Sequence, residues 1–356
     1  VNALIFYILV AILLFGLLIA VHEWGHFITA KLLGVRVNEF AIGMGPLIYS
    51  KQKGETLYSL RAIPMGGFCA MEGEDEDTDS PESFSKKPVW KKLIILTAGS
   101  FMNFVAGFLI LLVLFSQVQS FTVPVIADFM EGFPYQSEEG LLPGDKIVSI
   151  DGRKVHIVSD AQVYFSISNG ETMDLVVERN GQLLQRDDFP LKLREYNIDG
   201  QTVVRYGLYF SQVKATPGEV VRQTWDTSWY FARSVWLGFE MLFSGEAGLK
   251  DLAGPVGIVS MIGETGTHSE SIALGLKNVC YIIALVAVNL AIVNMLPIPA
   301  LDGGRIFLIL LSQGYYLITR RKINPKYEAY LNGVGFTLLI VLMIVVTFQD
   351  VIKLVR

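Results

Sequence analysis

Charge is what this 356-residue chain has least of: Asp, Glu, Lys and Arg make up only 18% of it. Ordinary soluble domains carry about 25%. Hydrophobic residues reach 52% and mean hydropathy is +0.45, which excludes a disordered chain, a collagen and a soluble enzyme. There is no basic excess either, with 29 Lys and Arg against 34 Asp and Glu. Nucleic acid, which needs basic stripes, is not an expected partner. The only cysteines are Cys69 and Cys280. They are too few and too far apart for a disulfide framework, and neither has a zinc-ribbon partner.

The missing charge is missing locally. Residues 1–21, 93–127 and 278–301 contain no Asp, Glu, Lys or Arg, and 333–349 is a fourth such run. Each approaches the roughly 20 residues that cross a bilayer. Four transmembrane helices are expected, and the lipid bilayer is the environment. The first run has no basic flank and no small-residue cleavage pattern, so it reads as a retained helix. Basic residues follow the first span (Lys31, Arg36, Lys51, Lys53, Arg61, Lys86, Lys87, Lys91, Lys92) and the third (Arg305, Arg320, Arg321, Lys322, Lys326). The positive-inside rule then makes both segments cytoplasmic and puts the long 120–275 segment outside.

That long segment has the texture of an inserted α+β domain. VPVIADF, KIVSID, MDLVVER and VRYGLYF alternate like strands, with turn signals at Pro143-Gly144-Asp145, Asp151-Gly152 and Asn180-Gly181. Asp160 to Ile167 reads as a short helix. EEGLLPGDKIVSIDG (138–152) resembles the signature of PDZ domains, whose peptides add to a sheet edge. The expected divisions are 1–121 for the first half of a membrane core, 122–212 for the PDZ-like domain, 213–275 for an aromatic-rich interfacial segment, and 276–356 for the second half of the core. Residues 58–71 hold two apolar stretches around Gly66-Gly67, which predicts a membrane-dipping β-hairpin there. Its free edge, with Gly66 and Gly67, is expected to meet substrate. The acidic run Glu72–Asp79 reads as a solvated loop, because its spacing fits no EF-hand.

The chemistry lies in His22-Glu23-Trp24-Gly25-His26. Positions i and i+4 share a helix face, so both imidazoles can bind one Zn²⁺ while Glu23 stands ready as general base. A His-Glu-His cluster at the end of an apolar span is costly to bury, which favours function. Catalytic zinc takes three protein ligands. His156 and His268 fall in the outside segment. Asp302 in PIPALDGGR (297–305) ends the third span at the depth of the two histidines, so it is the expected third ligand. Pro297 and Pro299 break the helix, and Gly303 and Gly304 are expected to let the chain turn.

HEWGH, the LDGG after the third span and the PDZ-like insert together resemble the site-2 protease family of intramembrane zinc metalloproteases, in its bacterial regulator-of-sigma-E protease form. NEFAIGMGP (38–46), IPMGGF (63–68) and LAGPVGI (252–258) resemble further family segments. The chain departs at Gly99-Ser100-Phe101-Met102-Asn103, where many relatives have Pro at the second position. The resemblance implies a protease of a bacterial plasma membrane that cuts transmembrane segments of single-pass membrane proteins, such as anti-sigma factors or signal-peptide remnants. It implies one zinc per chain held by His22, His26 and Asp302, and Glu23 as the catalytic residue. Asn294 would bind the substrate backbone, and Asn103 would lie near the zinc on the substrate side. The PDZ-like domain would admit only substrates already trimmed outside. Two other readings, a catalytically silent membrane chaperone and a metal transporter, fit less well: the zinc motif is intact, and no repeat of broken helices appears.

Overall fold

The computed structural model describes residues 2–74, 78–168, 171–198, 200–321 and 325–355. The chain forms two compact units. One joins Val1–Leu111 to Phe231–Arg356, and the other is Leu112–Tyr230.

The first unit begins with α1 (Asn2–Leu32), followed by β1 (Val37–Lys53), β2 (Thr56–Met71) and α2 (Val89–Phe115). The paired strands correct the hairpin expected around Gly66-Gly67. The connection lies at Gly54, and residues 56–71 run as one bent strand. Gly66, at φ 97°, makes the bend rather than the hairpin turn. Phe40 lies opposite Cys69 on one side and Tyr58 on the other, while Lys53 lies opposite Thr56. The two strands therefore fold into four rows, with 37–42 inside and 67–71 along an outer edge. Of the acidic run, residues 75–77 lie outside the described residues, as does Lys322 in the later basic segment.

The second unit contains β3 (Ser120–Phe129), β4 (Lys146–Ile150), β5 (Arg153–Lys154), α3 (Val158–Ile167), β6 (Met173–Arg179), β7 (Gln182–Phe189), β8 (Arg194–Ile198), β9 (Gln201–Arg205) and β10 (Leu208–Lys214). The main sheet has the order β10-β3-β4-β6-β7, with β5 on β4, and β8 and β9 pair separately. The run VRYGLYF is not one strand. It breaks between β9 and β10, where Gly207 has φ 82°. Strand β3 begins before residue 122 and β10 ends after 212, because the outer ends pair with each other: Ser120 lies opposite Lys214. Ile126, Leu141, Ile147, Ile150, Phe165, Leu175 and Val177 fill the core. The α3 helix starts where Asp160 Oδ2 accepts the His156 and Ile157 amides at 2.9 and 3.1 Å, the kind of cap a helix start needs.

Helix α4 (Pro217–Ser244) follows, and the first unit resumes with α5 (Pro255–Thr267), α6 (Ile272–Asn294), α7 (Asp302–Thr319) and α8 (Pro325–Val355). The expected 213–275 segment is thus two helices rather than one element, and α7 was not foreseen. Four stretches are long and apolar enough to cross a membrane: Ala3–Leu32, Val89–Phe115, Ile272–Asn294 and Tyr330–Leu354. Small residues let these helices approach, as is usual in lipid. A Cβ at Gly25 would strike the Ala98 carbonyl, and one at Gly107 would strike Val288. LAGPVGI finds its reason in the same way. Gly257 donates its amide to Asp350 Oδ2 of α8 at 2.8 Å, and a side chain at 254 or 257 would displace that carboxylate.

Candidate metal centre and cleft

One helical turn separates His22 from His26, and their Nε2 atoms converge to 3.1 Å. Asp302 opens α7, and its Oδ2 lies 3.2 Å from His22 Nε2 and 3.4 Å from His26 Nε2. Among the described residues this trio is the group of three that could hold a metal ion. Gly99 of α2 backs it, where any side chain would collide with both imidazoles.

The glycines after Asp302 work differently from expectation. The turn before α7 is made by Ala300, whose φ is 77°. Gly303 and Gly304 are helical, and a Cβ on either would run into the backbone of Met295–Pro299. Their lack of side chains lets the first turn of α7 sit against the end of α6. That contact sets Asp302 opposite the histidines.

Hydrogen bonds fix which nitrogen of each ring is free. His26 Nδ1 donates to the Ile95 carbonyl at 2.8 Å, so its Nε2 carries the lone pair. Asn103 is fully buried, and its amide lies 3.3 Å from His22 Nδ1. The Asn103 Oδ1 has no partner with Nδ2 aimed at the ring. Rotating the amide satisfies Oδ1 with an Nδ1 proton and frees the Nε2 lone pair of His22. Asp302 Oδ2 is also buried without a hydrogen bond. With both rings neutral, three electron-pair donors converge on one point, the donor set that a divalent cation requires. Their separations match the roughly 3.3 Å edge of a tetrahedron with ligands about 2.0–2.1 Å from zinc. The residues fit the metal.

A cleft of about 630 Å³ opens beside the trio. Its walls are Glu23, Phe68, Cys69, Ala70, Met71, Glu74, Leu96, Ala300, Arg305, Asn332, Gly333 and Phe336. Burial pushes the Cys69 thiol up and the neighbouring Glu23 adds to this, so the thiol is a neutral wall group. None of Asn103, Asn294, Gly66 and Gly67 lines the cleft. Asn103 is turned onto His22, and Asn294 is half-buried at the end of α6. Gly67 is packed under the Ala41 carbonyl, and a Cβ there would meet Glu23 Cγ at 3.6 Å. Glu74 and Arg305, which form an ion pair in this cleft, escaped the sequence reading. The acidic run hid the first, and the basic segment after the third span hid the second.

The model of peptidase family M50 matches residues 10–342. The chain belongs to peptidase family M50. A protein of Clostridium perfringens that bears a zinc metalloprotease name is 35% identical over 97% of this chain and 98% of its own length. The regulator of sigma-W protease of Bacillus subtilis is 27% identical over 96% of this chain and 97% of its own length. A zinc metalloprotease of Shouchella clausii is similar at 27% identity over 98% of this chain and 99% of its own length. As an M50 member the chain is a zinc metalloprotease with membrane-spanning helices and an inserted sheet-rich region. The site-2 protease resemblance of its motifs agrees with this family.

Proposed function

We propose that His22, His26 and Asp302 hold the zinc, and that Glu23 is the general base in hydrolysis of transmembrane segments of membrane proteins. The observation that carries this reading is the convergence of three lone-pair atoms within 3.4 Å, beside Glu23 and at the end of an apolar helix. Zinc, when bound, supplies Lewis-acid activation of water and of the scissile carbonyl. Glu23 takes a proton from the attacking water and gives it to the leaving amine.

A peptide bond inside a transmembrane helix is shielded by its own hydrogen bonds, so the substrate must unwind locally. Residues 68–71 of the outer row line the cleft, and that row offers the substrate a sheet edge to join. The substrates proposed are single-pass proteins, anti-sigma factors or signal-peptide remnants among them, consistent with a Bacillus relative named as a regulator of sigma-W protease. The basic segments after the first and third spans support a cytoplasmic-side site in a bacterial plasma membrane, with the Leu112–Tyr230 unit outside. That unit is PDZ-like in our reading, supported by its GLLPGDKIVSIDG run and by a short helix between antiparallel strands.

The test is metal analysis beside cleavage of a model transmembrane substrate. The parent should hold about one zinc per chain, and Asp302→Ala should lose most of it together with cleavage. Full zinc and full cleavage in Asp302→Ala would remove Asp302 from the ligand set.

A further inference from the structure

The outer row 67–71 does not present a uniform edge. Successive amides of a strand point to opposite sides. Glu72 donates its N–H to the Arg36 carbonyl, on the inner side of the row, at 2.9 Å. The Met71 N–H therefore points to the open side, as do those of Cys69 and Gly67. At Met71 that donor is already taken: Glu74 Oε2 accepts it at 3.4 Å. The other oxygen of Glu74 is paired with Arg305, three residues after Asp302 and also part of the cleft lining. Both side chains are half-buried, at 16% and 30% exposure, so the pair is less screened than a surface ion pair.

We infer that Glu74, held by Arg305, is an end stop that fixes the register of the substrate strand. It occupies the hydrogen-bonding slot that a longer added strand would use. Only the Gly67–Cys69 side of the edge is left to pair, and Gly67 lies beside Glu23. Four residues at about 3.3 Å each put the stop about 13 Å from Gly67. The span from stop to Glu23 acts as a ruler that selects which peptide bond is cut. Glu74 and Arg305 are positioning residues on this account, and they act through the strand register.

The inference rests on the protease reading, and the experiment separates the two. A model transmembrane substrate is cleaved by the parent, Glu74→Gln, Arg305→Gln and Arg305→Lys, with zinc content measured and products sized by mass spectrometry. Failure of the zinc-loaded parent to cleave would count against the protease reading and remove the ground for the stop. With a cleaving parent, one dominant cut is expected. Both Gln variants should add cuts displaced by two residues, since a shift of two keeps the same side of the strand facing the edge. Arg305→Lys, which keeps the ion pair, should retain the parent pattern. The same single cut in both Gln variants, at any rate, would overturn the stop. If the Gln variants lose zinc or do not accumulate, a proline scan of the substrate with the parent decides. Proline should impair cleavage only at positions that pair as far as Cys69. Sensitivity continuing past Met71 would overturn the stop equally.

Discussion

Asp145 and Asp302 are two of the enclosed carboxylates of this protein, and they are treated in opposite ways. Asp145, in the Leu112–Tyr230 unit, is 1% exposed and fully engaged. It accepts Arg179 Nε and Nη2 at 2.7 and 2.8 Å, and the Leu142 amide at 2.8 Å. Asp302, in the other unit, is also enclosed, but its Oδ2 faces two imidazole nitrogens and no hydrogen-bond donor. A buried ion whose partners are complete has its desolvation offset; one whose partners are all electron-pair donors needs something added. The apolar residues divide in the same way. In the second unit they point inward around Leu141 and Ile147. In the first, only 17% of the first span's most apolar window and 11% of the last one's are buried. Their apolar faces are left for lipid, and small residues and polar contacts specify the packing.

This contrast is sharpest at Glu23. If the unsatisfied cluster is a catalytic centre, Glu23→Gln should lower cleavage by about 10²–10⁴-fold, the usual contribution of a general base. Zinc content should stay at the parent level, because Glu23 is not among the three converging ligands. Cleavage within a few-fold of the parent would take Glu23 out of the mechanism.

The next effect separates a ligand from its support. Asn103→Ala removes the group that faces His22 Nδ1 and leaves that nitrogen buried without a partner. Supporting residues of this kind typically contribute 10–100-fold to metal affinity or activity. Competition with a chelator should show zinc lost at a correspondingly lower chelator concentration. Asn103→Asp, which can only accept from Nδ1–H, should retain most of the affinity. An unchanged chelator midpoint in Asn103→Ala would reduce this residue to a helix-packing role.

How much of this could be read from the sequence follows the same division. The meeting of His22, His26 and Asp302 was legible because zinc chemistry admits few residue types, and the i, i+4 spacing survives any packing of the helix. The four spans were legible from missing charge. The β1–β2 rows were not: two apolar stretches around Gly66-Gly67 look like a hairpin, but the turn at Gly54 wins and the inner row 37–42 claims partners on both sides. Gly303 and Gly304 suggest a turn that belongs to Ala300, because a sequence does not say whether a glycine serves φ or closeness. Helix α7 is hidden in the sequence, since RIFLILLSQGYYLI follows a stretch rich in Pro and Gly and precedes basic residues that read as a loop. Asn103 was noticed for its place in a motif, but only a contact across 81 positions assigns it to His22.

The smallest expected effect tests whether the two units divide the labour. Leu141 is fully buried in the core of the Leu112–Tyr230 unit. Leu141→Arg buries a charge with no partner, which costs enough to unfold a small domain. None of His22, Glu23, His26 and Asp302 lies in that unit, so zinc content should be unchanged. If the unit screens substrates, its loss should raise cleavage of full-length substrate relative to substrate already trimmed outside. If it recruits substrate by strand addition, cleavage of both should fall together. Screening predicts a rise in the full-length to trimmed ratio of at least about two-fold, a change of roughly 0.4 kcal/mol in relative barrier. A limited-protease digest should show the unit unfolded in the same preparation. An unchanged ratio in that unfolded state would leave the second unit without a screening role and shift selection to the cleft itself.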